Sequence, residues 1–504
     1  MIPVAIRSRL RSLTIEQILW SLLLISVPFT SFPLVQALAR GSTVNPLSAV
    51  PLALLMVFWF PRYLLNGGQI PRLAIPLLGF VAIAVLASAL SLLLDIRPAL
   101  GVSQLNRISR GLLTLAVGTG FYLIASTLPQ SATRLNSSLI SLYIGAALML
   151  IWSSVQIWFV ASAIEDVPHQ VQAIHRVLSQ RDLTVTRVTG FAYEPSWLAN
   201  QIVILYVPLW LGSVIQGYSA FSSGKSRASV ELLFLLWSLA VLFFTLSRIG
   251  FISILAIGVV LAIGIGRKVA KRWSMLSVRA ERISDKEESE PGLRPMPVLF
   301  VAVLILLTLI AGGVMLYLGA RMDARIAKLF DFEIAGIFVA GSDPIYQIAY
   351  RLGFAERLTY WASALRVFSA HPILGAGIGN TGFFFIEMVP SFGYGQPEII
   401  RILAGEADFP NPKNLWIRLL AETGIVGFLV FVMWLGLTAK AAWTLHKYGQ
   451  NLRRAIGTAG LLALLVQIFE GFNIDTFALP QMWIMFGLVS AAYSWQSETP
   501  GEKE

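Results

Sequence analysis

The chain has 504 residues, of which 56% are hydrophobic and only 13% are charged, and its mean hydropathy is +0.72. Soluble globular domains carry far more charge, so this composition indicates a polytopic membrane protein. Because the sequence has no cysteine and only four histidines, it excludes disulfides and a cysteine nucleophile and argues against metal chemistry. The net charge of +11 does not indicate nucleic-acid binding, since the basic residues lie in short segments beside hydrophobic runs, where they orient helices and meet anionic lipid.

The N-terminal region combines basic residues with an apolar run. Arg7, Arg9 and Arg11 precede hydrophobic residues that continue to an Ala-Leu-Ala triplet at 37–39, which is a pattern that a cleaved signal peptide also shows. The run from about 18 to 38 is long enough to cross a bilayer, for which about 20 apolar residues suffice. We therefore expect an uncleaved first transmembrane helix.

Apolar runs near this spanning length recur along the chain. They predict an all-α fold, a polytopic transmembrane bundle of about twelve helices, and we find no internal repeat of the kind that builds inverted-repeat transporters. The predicted spans are 17–38, 46–65, 73–94, 111–128, 136–160, 197–216, 230–247, 249–266, 297–318, 414–438, 456–471 and 476–494.

The distribution of basic residues predicts the orientation. Segments 267–295 and 439–455 are rich in Lys and Arg, as is the N-terminus, so all three are expected in the cytoplasm. Threading twelve helices from that side places 161–196, the turn at Arg248 and the long segment 319–412 on the far side. A segment of this length is too long for a structureless connector, which indicates a function.

Within that long segment, apolar residues recur at helical spacing and predict an amphipathic helix at the membrane surface. The apolar positions are Leu352, Ala355, Leu358, Trp361, Leu365 and Phe368, and the interspersed charges are Arg351, Arg357 and Arg366.

Arg248 lies in a Thr-Leu-Ser-Arg-Ile-Gly motif at 245–250, between two apolar runs. A snorkelling arginine at the membrane boundary is one explanation of this position. The alternative is a guanidinium that binds a diphosphate through two parallel hydrogen bonds, for which Arg is better shaped than Lys.

A glycine-rich loop follows at 371–380, with Gly375, Gly377 and Gly379 at alternate positions before Asn380. Alternate glycines allow backbone N–H groups to converge on an anion, although such turns more often permit tight packing. The spacing is not a dinucleotide fingerprint. His371, which precedes a proline, is expected to be a structural turn residue.

Glu194 precedes Pro195 and Ser196 at the predicted start of a helix. This arrangement is also what helix initiation requires. The functional alternative is a carboxylate that accepts a proton from a sugar hydroxyl. Lys413 and Asn414 stand at the start of the run 414–438, where a cation at the mouth of a membrane helix can meet an anionic lipid-linked substrate.

Five motifs in this order together resemble the O-antigen ligase and O-antigen polymerase superfamily over roughly residues 185–440. They are Glu-Pro-Ser at 194–196, Leu-Ser-Arg-Ile-Gly at 246–250, Arg-x-x-x-Trp at 357–361, His-Pro-Ile-Leu-Gly-Ala-Gly-Ile-Gly-Asn at 371–380, and Asn-x9-Gly-x-x-Gly at 414–427.

The resemblance implies a bacterial inner-membrane glycosyltransferase with about twelve helices and a large periplasmic loop. Such enzymes move a glycan from undecaprenyl diphosphate to an acceptor without a metal or other cofactor. The acceptor is a sugar of the lipid A core for a ligase and another lipid-linked saccharide for a polymerase, and a chain-length regulator and a flippase are possible partners. The implied regions are N-terminal transmembrane helices (1–184), a catalytic region with the periplasmic loop 319–412 (185–440) and C-terminal transmembrane helices (441–504).

By motif, Arg248 and Arg357 resemble the two arginines that hold the donor diphosphate in that superfamily. Lys413 occupies the position of a histidine that is regarded as catalytic in the ligases, which is a departure from their pattern. As a cation it would stabilise the leaving diphosphate, and as a free amine it would act as a base; we favour anion binding. Glu194 is then the remaining candidate for acceptor activation, and Gly375, Gly377, Gly379, Asn380 and Asn414 position the loops.

These observations favour a polysaccharide polymerase. A ligase that attaches the glycan to lipid A core is the first alternative. A flippase or exporter of the same saccharides is the second, and it would place charges within helices that line a cavity. The predicted helices are nearly free of central charge, which argues against that alternative.

Overall fold

The computed structural model describes residues 14–39, 44–162, 165–221, 230–283, 296–330 and 344–495. Within these ranges the only strand-type pairings are two isolated bridges, one between Ser31 and Asn45 and one between Ala99 and Val102. The prediction of an all-α fold is therefore confirmed. Arg7, Arg9 and Arg11 lie outside the described residues.

The helices follow one another with short connections through most of the chain. Their bounds are Ile15–Ile25, Pro33–Ala39, Ala49–Leu65, Ala74–Ser91, Gln104–Thr127, Ala132–Ala161, His169–Leu178, Pro195–Gln216, Val230–Phe244, Arg248–Ile283, Met296–Ala320, Ala324–Ala327, Pro344–Arg351, Ala355–Ala370, Phe385–Met388, Pro397–Leu403, Leu415–Tyr448, Asn451–Glu470 and Pro480–Ser494.

Eight described helices are long and apolar enough to cross a membrane, so this is a multi-pass membrane protein. Shorter apolar helices include Ile15–Ile25, Ala49–Leu65 and Val230–Phe244. The first predicted span, 17–38, is wrong as a continuous helix because the chain breaks between Ile25 and Pro33. The helix count of twelve and the periplasmic loop stay predictions.

Two predicted basic loops are largely helical. The helix that begins at Arg248 continues to Ile283, well past its predicted end at 266, and residues 284–295 of the predicted loop lie outside the described ranges. Only residues 449–450 separate the Leu415–Tyr448 helix from the next one. Lys and Arg are good helix formers, so a helix can extend through a basic segment.

Aromatic side chains fill the centre of the bundle. Trp434 stacks on Trp483 with ring centroids 5.6 Å apart and meets the edge of Tyr122 at 5.4 Å. Lipid tails are as apolar as these side chains, so helices associate in a membrane through close packing. Gly118 and Gly487 permit this approach, since a Cβ atom would lie 2.4 Å from the carbonyl oxygen of Phe477 at the first and 2.5 Å from the Cβ atom of Ala125 at the second.

Three acidic side chains are buried in the membrane helices. Glu231, Glu422 and Glu470 are each at most 2% exposed. Each has a polar partner, because an unpaired charge in this environment is very costly. The partners are the N–H of Ala220 for Glu231 (2.7 Å), Arg418 for Glu422 (2.8 Å), and Asn200 and Ser253 for Glu470 (2.9 and 3.1 Å). Glu231 and Glu470 stand at helix ends, and Glu422, paired with Arg418, lies about two turns into its helix. That the helices are nearly free of central charge therefore stays a prediction.

The Leu415–Tyr448 helix is broken at Gly424, where φ is 63° and ψ is −171°. A break leaves carbonyl and N–H groups without partners in the helix, and in a membrane these groups must be satisfied by protein. The glycine-rich loop supplies them. The hydrogen bonds are Ala376 N–H to Ala421 O (2.9 Å), Gly377 N–H to Glu422 O (3.0 Å), Ile425 N–H to Pro372 O (2.8 Å) and Val426 N–H to Ile373 O (3.3 Å).

This contact explains the glycines on both sides of it. Gly375 has a φ of 71°, and a Cβ atom there would lie 2.4 Å from the carbonyl carbon of Glu422. A Cβ atom on Gly424 would lie 2.2 Å from the carbonyl oxygen of Ile373. Only glycine combines the left-handed conformation with so close an approach between two backbones.

The predicted helix exists and spans Ala355–Ala370, so Leu352 lies outside it. Of the predicted apolar positions, Ala355 is buried and Leu365 is 42% exposed. The other buried residues of the helix are Thr359, Tyr360, Ser363, Ala364 and Val367. The helix packs against the broken helix and the segment after it. Its location at the membrane surface stays a prediction.

Candidate active site

The site is built where the Leu415–Tyr448 helix begins. Asn414 caps this helix, because its side-chain Oδ1 accepts a hydrogen bond from Ile417 N–H at 3.2 Å. Lys413, just before it, has a φ of 50°, which is uncommon for a residue other than glycine. Its N–H donates to Asp475 Oδ2 at 3.0 Å and to Asn411 Oδ1 at 3.2 Å. The backbone of Lys413 is thereby held in a defined position.

The side chain of Lys413 is paired with a carboxylate that sequence analysis did not single out. Its Nζ lies 2.6 Å from Glu398 Oε1 and 4.5 Å from the ring centroid of Tyr360. The Tyr360 hydroxyl donates to the same Oε1 atom at 2.8 Å. Lys413 is therefore part of an ion pair, and an anion would have to compete with Glu398 for it.

Glu356 lies beside Glu398, and the two carboxyl groups influence each other. Burial, followed by the hydrogen bond and charge of Glu398, raises the pKa of Glu356. Burial also tends to raise the pKa of Glu398, but the hydrogen bond and charge of Lys413, with the Tyr360 hydroxyl, outweigh it and lower that pKa. The pKa values of the two groups are thus pushed apart, and Glu398 is the more readily ionised of the two. We call Glu356 and Glu398 the carboxyl pair.

Arg357 lies next to this pair, on the same helix as Tyr360. Its Nη1 donates to three backbone carbonyls at 3.4 Å, those of Lys413, Phe472 and Asn473. Within the described part of the chain its hydrogen bonds involve Nη1 alone, so Nη2 and Nε remain for a ligand. Burial lowers the pKa of Arg357, and three carboxylates oppose that effect, those of Asp475, Glu194 and Glu398.

Arg248 is the first residue of its helix and reaches the end of the Pro344–Arg351 helix. Its Nη1 donates to Leu352 O at 2.7 Å and its Nη2 to Gly353 O at 3.3 Å. It lies within electrostatic range of Arg325 and Arg357. The guanidinium is thus fixed by protein carbonyls, which a snorkelling arginine would not need.

Two further arginines lie near these. Arg187 donates to the carbonyls of Thr245 and Leu246 at 2.8 and 3.2 Å, and burial, then the charge of Arg325, lowers its pKa to about 10. Arg325 pairs with Asp323 at 2.5 Å. We call Arg187, Arg248, Arg325 and Arg357 the cation cluster. Guanidiniums placed together without a full set of carboxylates are suited to a ligand with several negative charges.

Glu194 occupies the N-cap position of its helix, but its side chain makes no capping hydrogen bond. Its Oε2 accepts from the Ser196 hydroxyl at 3.1 Å, and its Oε1 lies 3.9 Å from Arg181. Its charge acts on Arg187, Arg325 and Arg357. Glu194 is therefore a neighbour of the cation cluster.

The glycine-rich loop lies apart from these charges, against the helix break. The N–H groups of Ala376, Gly377 and Ile378 donate to protein acceptors, so they are not available to an anion, and packing is the correct interpretation. Asn380 is fully buried and its side-chain N–H2 group donates to Ser91 Oγ and Ala376 O, each at 2.9 Å. His371 ends its helix and accepts a turn hydrogen bond from Gly375 N–H at 3.0 Å.

Sequence analysis missed Glu356, Tyr360, Glu398 and Arg325. None of them belongs to a short motif. Glu398 contacts Lys413 and Tyr360, which are 15 and 38 residues away from it in the sequence. The tyrosine and the acidic residue on the Arg357 helix were a usable signal, since both lie within three residues of Arg357. Among the described residues, no group of three or more His, Asp or Glu side chains is placed to hold a metal ion.

Comparison with protein-family models matches residues 233–432 to the O-antigen ligase family. The matched residues include Arg248, Arg357, Glu398 and Lys413, whereas Glu194 precedes them. No curated protein matches the chain.

Proposed function

Residues 233–432 form an O-antigen ligase family domain, and from that premise we propose that the chain is an inner-membrane glycosyltransferase that moves a glycan from undecaprenyl diphosphate to a saccharide acceptor. The family consists of membrane enzymes of glycan transfer, of the ligase or polymerase type. The multi-pass helical architecture agrees with a lipid-linked donor, whose long hydrocarbon tail requires access from the bilayer.

The cation cluster beside the carboxyl pair is the observation that carries this proposal. A diphosphate needs several well-placed donors, and the fork of an arginine matches phosphate oxygens in pairs. Arg248 and Arg357 are each fixed by backbone carbonyls, so their orientation is set before the substrate arrives. Preorganised charge of this kind stabilises a leaving group without reorganisation during the reaction. We assign the donor diphosphate to these two arginines.

The proposed reaction is a displacement at the anomeric carbon of the donor. A hydroxyl oxygen of the acceptor attacks the anomeric carbon of the donor, the bond from that carbon to the diphosphate oxygen breaks, and the configuration inverts. Undecaprenyl diphosphate leaves with the electron pair, held by the cation cluster. Because the leaving group is already a stable anion, no general acid and no metal ion are required in this proposal.

Between the two types of transfer, we propose a polysaccharide polymerase. The support is Lys413, which stands where the ligase pattern has a histidine, and its pairing with Glu398 gives this position a chemistry different from that of an imidazole. Attachment of the glycan to lipid A core by a ligase is the alternative.

The polysaccharide of a deletion strain tests the function. Loss of polymer with single repeat units still attached to their acceptor means a polymerase, and accumulation of free lipid-linked polymer means a ligase. If the strain instead accumulates lipid-linked repeat units confined to the cytoplasmic leaflet, the protein is an exporter.

We also expect the site to face the periplasm and the basic end of the Arg248–Ile283 helix to face the cytoplasm, because of the positive-inside rule. Since the chain has no native cysteine, single cysteines can be introduced without a cleared background. Glu406→Cys should react with a membrane-impermeant maleimide when only the outer membrane is permeable. Arg272→Cys should react only after the inner membrane is opened, and the reverse pattern contradicts the orientation.

A further inference from the structure

Glu398 is the half-buried carboxylate that the site holds most firmly. Lys413 Nζ and the Tyr360 hydroxyl both donate to its Oε1 atom, at 2.6 and 2.8 Å. Glu356 is a third hydrogen-bonding partner of this carboxyl group. An ionised carboxylate offers about four acceptor sites on its two oxygens, so these three donors fix its plane and leave one site for an incoming group. This arrangement positions a carboxylate without occupying all of its acceptor sites.

We propose that Glu398 is the general base that accepts the proton of the acceptor hydroxyl, with Lys413 and Tyr360 as positioning residues. The inference rests on the proposed glycan transfer and adds the residue that activates the acceptor. In this step the hydroxyl proton moves to the remaining acceptor site of the Glu398 carboxylate while the hydroxyl oxygen bonds to the anomeric carbon. The proton ends on the carboxyl group, and the electron pair of the broken bond leaves with undecaprenyl diphosphate.

The position of Glu398 relative to Arg357 suits this role. The Glu398 charge acts on Arg357, but no direct ion pair joins them. An acceptor oxygen in attacking position lies roughly 3–3.5 Å from the anomeric carbon, and a base lies about 2.6–3.2 Å from that oxygen. A base must therefore lie close to a diphosphate bound at Arg357 but not in contact with it, because the anomeric carbon and the acceptor oxygen lie between them.

Glu398 also fits better than the two groups that sequence analysis put forward. The charge of Glu194 acts on three guanidiniums of the cation cluster, whereas that of Glu398 acts on Arg357 alone, so a base at Glu194 would stand among the groups that hold the diphosphate. Lys413 donates to a carboxylate at 2.6 Å, so its amine is held as a donor and not as an acceptor of protons.

The two members of the carboxyl pair differ in how readily they ionise. Two carboxyl groups whose pKa values are pushed apart by their surroundings commonly serve as acid and base. Lys413 and Tyr360 keep the pKa of Glu398 low, and burial beside Glu398 raises the pKa of Glu356. Glu398 is thus the more readily ionised member of the pair and the one placed to take a proton.

The test compares Glu398→Gln with Glu398→Asp in purified enzyme that transfers a lipid-linked saccharide. Glutamine keeps an oxygen for Lys413 and Tyr360 but cannot accept a proton, so we expect kcat to fall about 10²- to 10⁴-fold, the range typical of a general base. KM for the donor should stay within about twofold of the wild type, and binding of undecaprenyl diphosphate should be retained. Glu398→Asp should recover part of the rate. Glu387→Gln, an exposed glutamate of the same segment, is the matched control and should behave as the wild type.

The pH profile gives an independent readout. Burial tends to raise the pKa of Glu398, but Lys413, Tyr360 and Glu356 outweigh it and keep that pKa low, so Glu398 is ionised at neutral pH. Wild-type kcat should therefore be level from pH 7 to about 9 and fall on the acidic side. A lysine base would instead give a rate that rises through this range, because an ammonium must first lose its proton.

Wild-type kcat with Glu398→Gln, or a wild-type rate that rises between pH 7 and about 9, overturns the assignment of Glu398. If Arg357→Ala is inactive in the same preparations, either outcome leaves the proposed function of glycan transfer unaffected. The proposed function and the inference are refuted together if the wild type neither transfers a saccharide from undecaprenyl diphosphate nor binds that lipid.

Discussion

Arg357→Ala and Arg248→Ala should each lower the rate of glycan transfer by roughly 30- to 1000-fold. Each guanidinium is expected to contact the donor diphosphate, and loss of a charge-assisted contact of this kind costs about 2–4 kcal/mol of transition-state stabilisation. Lysine at either position keeps the charge but not the paired donors, so Arg357→Lys and Arg248→Lys should lie between alanine and the wild type. The measurement is transfer rate in membranes that contain equal amounts of each protein.

Both arginines also donate to backbone carbonyls, so a purely structural effect must be separated from a catalytic one. Arg366 offers the matched control, because it lies on the same helix as Arg357 and donates to the carbonyls of Met388 and Val389, each at 3.2 Å. Arg366→Ala removes comparable hydrogen bonds away from the cation cluster and should leave the rate within about threefold of the wild type. Full complementation of a deletion strain by Arg357→Ala would remove that residue from the proposed site, and equal loss in Arg366→Ala would indicate a structural effect.

The sequence predicts the class of this fold well because composition and apolar runs report directly on the membrane. It predicts where helices end less well. Gly424 illustrates the limit. From the sequence, a single glycine in an apolar run is expected to be tolerated within a helix. The helix breaks there because the loop at 372–377 forms hydrogen bonds with the freed backbone groups. That loop is some fifty residues earlier in the chain, and local propensity holds no information about such a contact.

Hydrophobic periodicity predicted the Ala355–Ala370 helix but not all of the residues that it buries. Small and polar residues pack well between helices, and Thr359 and Ser363 are buried beside Tyr360 and Val367, whereas Leu365 is exposed. The spacing of apolar residues holds no signal for a buried threonine or serine.

Site residues that lie in short motifs were predicted from the sequence, whereas those that depend on distant contacts were not. Arg248, Arg357 and Lys413 were found because they lie in short motifs. The structure brings them together, since Arg357 donates to the Lys413 carbonyl and its charge acts on Arg248. Glu398 was not found because its role depends on a contact with Lys413, and no local pattern sets it apart from other glutamates. Charges that act through partners distant in sequence require the fold to be known.

Lys413 provides the second large effect, because the pairing with Glu398 makes two of its possible roles distinguishable. Lys413→Met should lower kcat on the order of 10- to 100-fold, since it leaves Glu398 without its cation and removes positive charge beside the diphosphate. The ion pair is about one-third exposed on each side, so solvent reduces its contribution to stability, and the folded protein should still accumulate. Lys413→Arg keeps a donor and a charge and should retain much of the rate.

The histidine variant decides between a permanent cation and a base at this position. If Lys413 acts as a cation that holds Glu398, Lys413→His should be weak near pH 7.5, where an imidazole with its ordinary pKa of about 6.5 is mostly neutral, and should improve as the pH falls. If Lys413 is itself the general base, Lys413→Arg should be inactive because a guanidinium does not deprotonate, and Lys413→His should work as well as lysine. Transfer rates of the three variants between pH 6 and 9 separate these patterns. An active histidine variant beside an inactive arginine variant would return this position to the role that the ligase pattern gives to its histidine, and Glu398 would then orient the base.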